Sequence, residues 1–422
     1  MCTVDSDPTD DRTIDLRPYI RAGMGVWWNQ AAAEPTPLVN ALVDQLPEIG
    51  PVAAFVGLTW NHAVTREPPS QLTVVSYGGL GDLARLSKRG RLDVVPCHYS
   101  ALPTLFAEGA LPCDVGLLQV APPDADGNCS LGIGVDYVAD AITHTPVLIA
   151  EINRQMPVTR GAPTIPLGRF AAVIETDRPL LIAPEREPDE AEGRIARHIA
   201  SLIADGDTIQ IGVGTLPAAV LRALEGHEDL GMHSGMISDD VLRLIDNGVL
   251  TGARKEIDAG KVVTGTAIGT TKLYERVGSL PVEFRPASYT HDPAVLAQLQ
   301  SFVSINSSIE IDLTGQVGAE RRGDVYLGAV GGQTDFSRAA ALTGARSIIA
   351  MRATTRGTST IKAALEFGSV TTARTDVDFV VTEYGIAQLR GRDLAQRARQ
   401  MIEVAAPEHR EQLERTLYHH GS

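Results

Sequence analysis

The stretch DTIQIGVGTLPAAVLRALEGHEDLGMHSGMISDDVLRLIDNGVLTG, Asp207 to Gly252, decides how the chain is read. Thr208 to Ile211 has the composition of a short buried strand. Gly212, Gly214 and Pro217 make a tight turn, and Ala218 to Leu224 opens a helix. A strand, a glycine turn and a helix N-terminus present free backbone N–H groups and a positive dipole end, which suit a phosphate or an oxyanion. Alone, such a turn is equally well a plain strand-to-helix connection. What makes it specific is His233-Ser234-Gly235-Met236, then Ser238-Asp239, one helix further on where a second strand ends.

Working outward, 422 residues are enough for two or three domains with their own cores. A hydrophobic share of 44% with 21% charged residues fits a soluble globular chain. The net charge of −15 argues against a nucleic-acid or anionic-membrane surface, since phosphate binding needs clustered Lys and Arg. No run of about 18 apolar residues occurs, so no transmembrane helix is expected. The start, MCTVDSDPTDDRT, is acidic and polar, unlike a secretory signal, and a cytoplasmic protein is expected. Cys2, Cys97, Cys113 and Cys129 form no CxxC pair and no zinc spacing with His, so no metal is expected. Cys97 beside His98 invites a nucleophile reading, but a small apolar residue at a strand end is preferred.

Residues 1–14 read as a disordered tail. Beyond it, Gly23 to Trp28, Val52 to Gly57, Leu72 to Val75, Leu92 to Val95, Val115 to Val120 and Pro146 to Ile152 read as strands, with a helix over Pro37 to Leu46. Runs apolar on both faces predict parallel strands covered on both sides. Trp27 and Trp28 read as core. Pro and acidic residues from Glu175 to Glu192 mark a linker, which gives an N-terminal domain over 15–186 and a C-terminal domain over 187–422. A helix from Glu190 to Ala204 follows. The second half repeats the alternation, with strands over Lys261 to Thr266, Ser301 to Ile305, Ser347 to Met351 and Asp378 to Val381. The expected fold is two similar open, doubly wound α/β domains facing each other across a cleft.

At these residues the chain resembles the acetyl-CoA hydrolase/transferase family, especially its 4-hydroxybutyrate CoA-transferase-like branch of class I CoA-transferases. Members show a glycine turn like Gly212 to Pro217, a spacer ending Asp-Leu-Gly, then His-Thr-Glu-Met followed by Ser-Asp. Further blocks that match are EINRQMPVTRG from Glu151, SINSSIEIDLTGQVGAE from Ser304, GAVGGQTDF from Gly328 and TTARTDVDFVVTEYGIAQLRGRDL from Thr371. The last segment, APEHREQLERTLYH, resembles a family-typical terminal helix. In the order found, these blocks span about residues 15 to 418.

The resemblance implies the CoA-transferase fold, with coenzyme A or an acyl-CoA as substrate and a small acceptor as partner. It also implies a possible homo-oligomer. It places the coenzyme at Gly212, Val213, Gly214, Thr215 and Leu216, flanked by Gly331 and Gly332, where the absence of a Cβ lets backbone N–H groups approach closely. The family glutamate is a covalent nucleophile, and its position here is Gly235, with His233 and Ser234 beside it as candidate catalytic residues. Glycine cannot form a glutamyl thioester. Three readings stay open: direct attack of water or an acceptor on a bound thioester, CoA binding without chemistry, and an ordinary carboxylate transferase using another nucleophile. Under the catalytic readings, turnover is expected to survive Gly235→Ala and to fall with Gly332→Val. Glu151 and Asn153 read as loop ties, and Glu383, Tyr384 and Arg390 as structural.

Overall fold

The computed structural model describes residues 14–183 and 186–419. The expected tail lies outside them, apart from Ile14. The strands of the first large sheet are β1 (Gly25–Trp28), β2 (Val52–Phe55), β3 (Leu72–Ser76), β4 (Leu92–Val94), β5 (Val115–Val120), β6 (Val147–Asn153) and β7 (Ala172–Thr176). Those of the second are β8 (Thr208–Ile211), β9 (Gly231–His233), β10 (Val262–Thr264), β11 (Val282–Phe284), β12 (Phe302–Ser307), β13 (Arg346–Ala350), β14 (Phe379–Thr382) and β15 (Gly385–Gln388).

Spatially the sheets run β4-β3-β2-β1-β5-β6-β7 and β11-β10-β9-β8-β12-β13-β14-β15. The first seven strands of each therefore follow one and the same order, and only the β14–β15 hairpin is antiparallel. Central strands β1, β5 and β8 are buried at every position, which is why their sequences read as mainly apolar, with Gln119, Thr208 and Gln210 as buried polar exceptions. In each sheet the direction of travel reverses between the first and fifth strands, and open α/β sheets bind ligands at the carboxyl ends of such a pair.

Helices α1 (Thr36–Ile49), α2 (Glu190–Ala200), α3 (Thr215–Ala223), α4 (Asp239–Asp246) and α5 (Gln333–Thr343) include those that matter to the site. The start of α2 is set by a capping box between Asp189 and Glu192. It ends four residues before the expected Ala204. The terminal helix is present over Pro407–His419.

The halves dock by their backbones. Gly79 N–H donates to the Gly328 carbonyl at 2.8 Å, Tyr99 N–H to Gly331 at 3.0 Å, Ala267 N–H to Ile133 at 3.1 Å and Phe284 N–H to Arg160 at 2.8 Å. Glycine is needed at this seam, because a Cβ on Gly78 would lie 2.4 Å from the Ala329 Cβ and one on Gly328 2.1 Å from the Ala319 carbonyl oxygen. One apolar cluster runs through both halves, joining Trp27, Phe55 and Tyr137 to Ile209, Val303 and Ile348.

At the carboxyl edge of the first sheet lies a sealed polar layer. Asn153 donates to Gln119 at 2.8 Å, and Gln119 donates to the Glu34 carbonyl at 2.9 Å. Arg178 grips Glu151, which is fully buried, through Nε at 2.6 Å and Nη2 at 2.8 Å. These contacts fit the reading of Glu151 and Asn153 as ties. Arg178→Met would leave the Glu151 carboxylate buried without its cation, and removing one partner of a buried pair costs about 3 kcal/mol or more. A lowered urea midpoint for folding, followed by circular dichroism, is the expected result.

Candidate functional site

At the switch point of the second sheet a cavity of about 190 Å³ is lined by Ile211, Gly212, Val213, Leu216 and Pro217 on one side and by Ile305, Asn306 and Ser307 on the other. It therefore sits between the carboxyl ends of β8 and β12. The turn ends at Gly214, whose φ of 124° only glycine adopts readily, and which precedes α3. A Cβ on Gly212 or Gly214 would meet nothing within 4 Å, so both backbones face open space. Ala218 N–H closes the first turn of α3 on the Gly214 carbonyl at 2.9 Å, which leaves the N–H groups of Thr215 and Leu216 without intrahelical acceptors. Arg186 lies at this end, with Nε 3.3 Å from Thr215 Oγ1 and Nη2 paired with the Glu192 carboxylate at 2.6 Å. A larger open depression of about 560 Å³ lies by Gly25, Asp114 and Pro146, at the amino ends of β1, β5 and β6. That is the wrong edge for a doubly wound sheet.

The segment after β9 carries the other candidates. Ser234 is wholly buried and donates its hydroxyl proton to the Ile211 carbonyl at 2.8 Å, tying the end of β9 to the end of β8. His233 is also wholly buried. Its Nε2 lies 3.1 Å from the Thr290 carbonyl, which can only accept, so Nε2 carries the hydrogen and the buried Nδ1 is left without a partner. Burial pushes His233 down to about 4, with the nearby Lys255 ammonium adding to the effect. Both side chains act here as braces.

At Gly235 one side chain stands close, and apart from it nothing among the described residues lies within 4 Å of a Cβ position. A Cβ there would stand 2.9 Å from Cε1 and 3.1 Å from Nε2 of His291, a residue 56 positions downstream that the sequence reading did not single out. The same imidazole blocks Gly332, where a Cβ would lie 2.5 Å from His291 Nε2 and 3.0 Å from Phe336. Turnover in Gly235→Ala, expected to survive, therefore requires the ring to shift to admit the methyl group. His291 is held between Tyr99 and Phe336, with ring centroids 4.6 and 4.7 Å away. Its Nδ1 lies 2.8 Å from Thr290 Oγ1, and that hydroxyl lies 3.2 Å from the Pro286 carbonyl. With the hydroxyl proton on the Pro286 carbonyl, Oγ1 accepts from Nδ1–H and Nε2 keeps a lone pair; with that proton given to Nδ1, Nε2 carries the hydrogen, the Pro286 carbonyl being satisfied either way by the Tyr289 and Thr290 N–H groups at 3.0 Å. Among the described residues nothing hydrogen-bonds to that Nε2. Burial lowers His291 to about 3, and the ring is neutral at ordinary pH.

Gly332 is the N-cap of α5, and Phe336 N–H makes the first helical bond to its carbonyl at 3.1 Å. The N–H groups of Gln333, Thr334 and Asp335 thus have no intrahelical acceptor beside the imidazole. Gly331, at φ 51°, gives its carbonyl to Tyr99, so of the two glycines it is the second whose face meets the ring. From the first half, Gln30 donates to Tyr99 Oη at 2.8 Å and to Asp136 at 2.8 Å, and accepts from Tyr77 at 3.0 Å. Burial raises the Asp136 carboxyl to about 6. Asp136 lies behind Gly265, whose Cβ position is 3.3 Å from Asp136 Cβ and 3.0 Å from the Gly235 carbonyl oxygen.

Cys97 is no activated nucleophile. Burial and the Asp335 carboxylate push its thiol up to about 11. Arg390 binds Asp378 and the Gly344 and Ala345 carbonyls, and Glu383 accepts from Ala353 N–H at 2.9 Å, which fits the structural reading of that block.

Two doubly wound halves of one strand order, docked at their carboxyl edges, define a CoA-transferase-like architecture. Residues 13–181 match the acetyl-CoA hydrolase/transferase N-terminal domain, and residues 269–417 match the C-terminal domain. The chain is 39% identical over 396 residues to the 4-hydroxybutyrate coenzyme A transferase of Clostridium kluyveri, covering 91% of each chain. It is 35% identical over 409 residues to the succinyl-CoA:acetate/propanoyl-CoA:succinate CoA transferase of Fasciola hepatica, covering 95% of this chain and 86% of that one. The crystal structure of RipA from Yersinia pestis superposes with a TM-score of 0.89 at 32% identity, covering 96% of this chain and 95% of that one. The chain belongs to the acetyl-CoA hydrolase/transferase family. No helix among the described residues is long and apolar enough to cross a membrane.

The buried histidines leave a signature in stability. His233 sits at about 4 against an ordinary 6.5, so between these values the unfolded chain takes up a proton that the native state refuses. Stability from this group is therefore lost as pH falls, by about 2 kcal/mol between pH 7 and pH 5. Urea midpoints measured at both pH values are expected to fall less for His233→Asn than for the wild type.

Proposed function

We propose that the protein is an acyl-CoA-utilising enzyme in which the bound thioester is attacked directly, without a glutamyl-CoA intermediate. The observation that carries this reading is Gly235: the position matching the family's nucleophile has no side chain, and a neutral imidazole stands beside it. The coenzyme is read at the Gly212–Leu216 turn, where open-faced glycines, two unpaired N–H groups and Arg186 fit a phosphate or a thioester oxygen. Gly332 and the N-terminus of α5 supply the donors for a developing oxyanion on the other side. His233 and Ser234, both committed to carbonyls, hold the strand ends in place.

A covalent transferase splits its reaction through an enzyme-bound intermediate. Direct attack leaves none. Intact-protein mass spectrometry after incubation with acetyl-, propionyl-, butyryl- and succinyl-CoA, with free CoA followed in parallel, separates the cases. Release of CoA with the protein mass unchanged is the expected outcome. A stable acyl or CoA adduct would overturn direct attack in favour of a carboxylate transferase with another nucleophile. Binding of CoA with no release from any of the four would leave a binder without chemistry.

A further inference from the structure

The site holds one titratable group that the reading above does not yet use. His291 keeps 4% of its surface open, against none for His233, and its Nε2 faces the Cβ positions of both Gly235 and Gly332. In the tautomer whose Nδ1–H donates to Thr290 Oγ1, with that hydroxyl's own proton on the Pro286 carbonyl, Nε2 presents a lone pair. Tyr99 and Phe336 fix the ring plane. A lone pair without a partner, on a ring oriented by a second group, at the mouth of a helix N-terminus, is the arrangement of a general base beside an oxyanion site.

We propose that His291 is the catalytic base of this enzyme, taking the proton from an O–H or N–H nucleophile as it attacks the thioester next to Gly235. The inference rests on the acyl-CoA reading and narrows it to a class of acceptor. A carboxylate has no proton to give up, and a base does nothing for it. Water, an alcohol or an amine does need one.

The step balances without a further reactant. The nucleophile's heteroatom bonds to the thioester carbonyl carbon as its proton passes to Nε2, and the carbonyl electron pair moves to oxygen beside the N–H groups of Gln333 and Thr334. When the tetrahedral species collapses, the C–S bond breaks and the CoA sulfur takes the proton back from the imidazolium. Free CoA thiol leaves with an acid, an ester or an amide. The imidazolium formed in passing is paired with the oxyanion at the N-terminus of α5, which offsets the burial that otherwise keeps the ring neutral.

The test uses the full chain with the same four acyl-CoAs, each in buffer alone, with ethanolamine and with a carboxylate acceptor that differs from its acyl group. Free thiol and products are followed by liquid chromatography and mass spectrometry. The wild type is expected to release thiol in buffer or with ethanolamine, with a solvent deuterium isotope effect. His291→Asn is expected to lose about 100-fold or more in kcat with KM little changed and the isotope effect gone. Thr290→Val keeps the ring and removes its orienting hydroxyl, and a smaller loss in kcat is expected from a protein that melts like the wild type. Unchanged kcat in His291→Asn overturns the role of His291 while leaving acyl-CoA chemistry in place. Exchange of CoA onto the added carboxylate, faster than thiol release, overturns the acceptor class. A wild type silent in every arm overturns the acyl-CoA reading, and this inference with it.

Discussion

The bond from Tyr99 N–H to the Gly331 carbonyl, at 3.0 Å, draws the carboxyl edges of the two sheets together, and the site depends on it. It places the Tyr99 ring against one face of His291 while the following residue, Gly332, begins α5. Ser100 adds two bonds to Asp335 in the first turn of the same helix, at 2.7 and 3.1 Å. The N-terminus of α5 is therefore clamped by the opposite half of the chain. Neither sheet alone builds this geometry: His291, Gly235 and Gly332 come from the second half, and the aromatic wall and the Gln30 network from the first. The repeated strand order makes this possible, because each half brings a carboxyl edge to the same seam.

The central strands were legible because their positions are buried on both faces, so Val115 to Val120 reads as strand from composition alone. Edge strands were not. Ala172–Thr176 alternates partly buried and exposed residues, AVIET, and carries too little apolar content to stand out, while Val282–Phe284 is three residues long. Of the site, the Gly212 to Gly235 stretch was legible because strand, turn and helix lie consecutively and each leaves a local mark. His291 left none. It sits between a four-residue helix, Ala287–Thr290, and another that starts at Pro293, and only tertiary packing brings it to Gly235. Gln30, Tyr99 and Asp136 were invisible for the same reason, since their roles arise from bonds across 69 and 106 residues of chain.

Burial sets the charge state of the titratable groups at this corner. The buried carboxyl of Asp136 is turned toward Gln30 and lies behind the Gly265 backbone, and its raised value of about 6 reflects how poorly the interior tolerates its anion. His233 and His291 are both driven low by burial and stay uncharged. What faces Gly235 and Gly332 is an uncharged imidazole edge and the positive end of α5, with the Asp335 carboxylate of that helix's first turn bonded to Ser100. Such an environment favours a species that acquires negative charge during reaction over one that arrives with it, because the donors are already oriented and little water must be moved.

Gly235 and His291 also have to be understood together. Both positions meet the same ring: seated between Tyr99 and Phe336, it stands 2.9 Å from a Cβ at 235 and 2.5 Å from one at 332. A side chain at 235 therefore requires the imidazole to shift. A glycine that had merely lost its side chain would border a void or a collapsed wall, since interiors rarely leave a gap of that size unfilled. Here the volume is filled by a ring whose orientation is fixed by Thr290 and whose outward nitrogen is unspent. Glycine at 235 thus lets the His291 ring sit where it does, and on the acyl-CoA reading proposed above the pair sets an imidazole edge where the family resemblance implies a nucleophile.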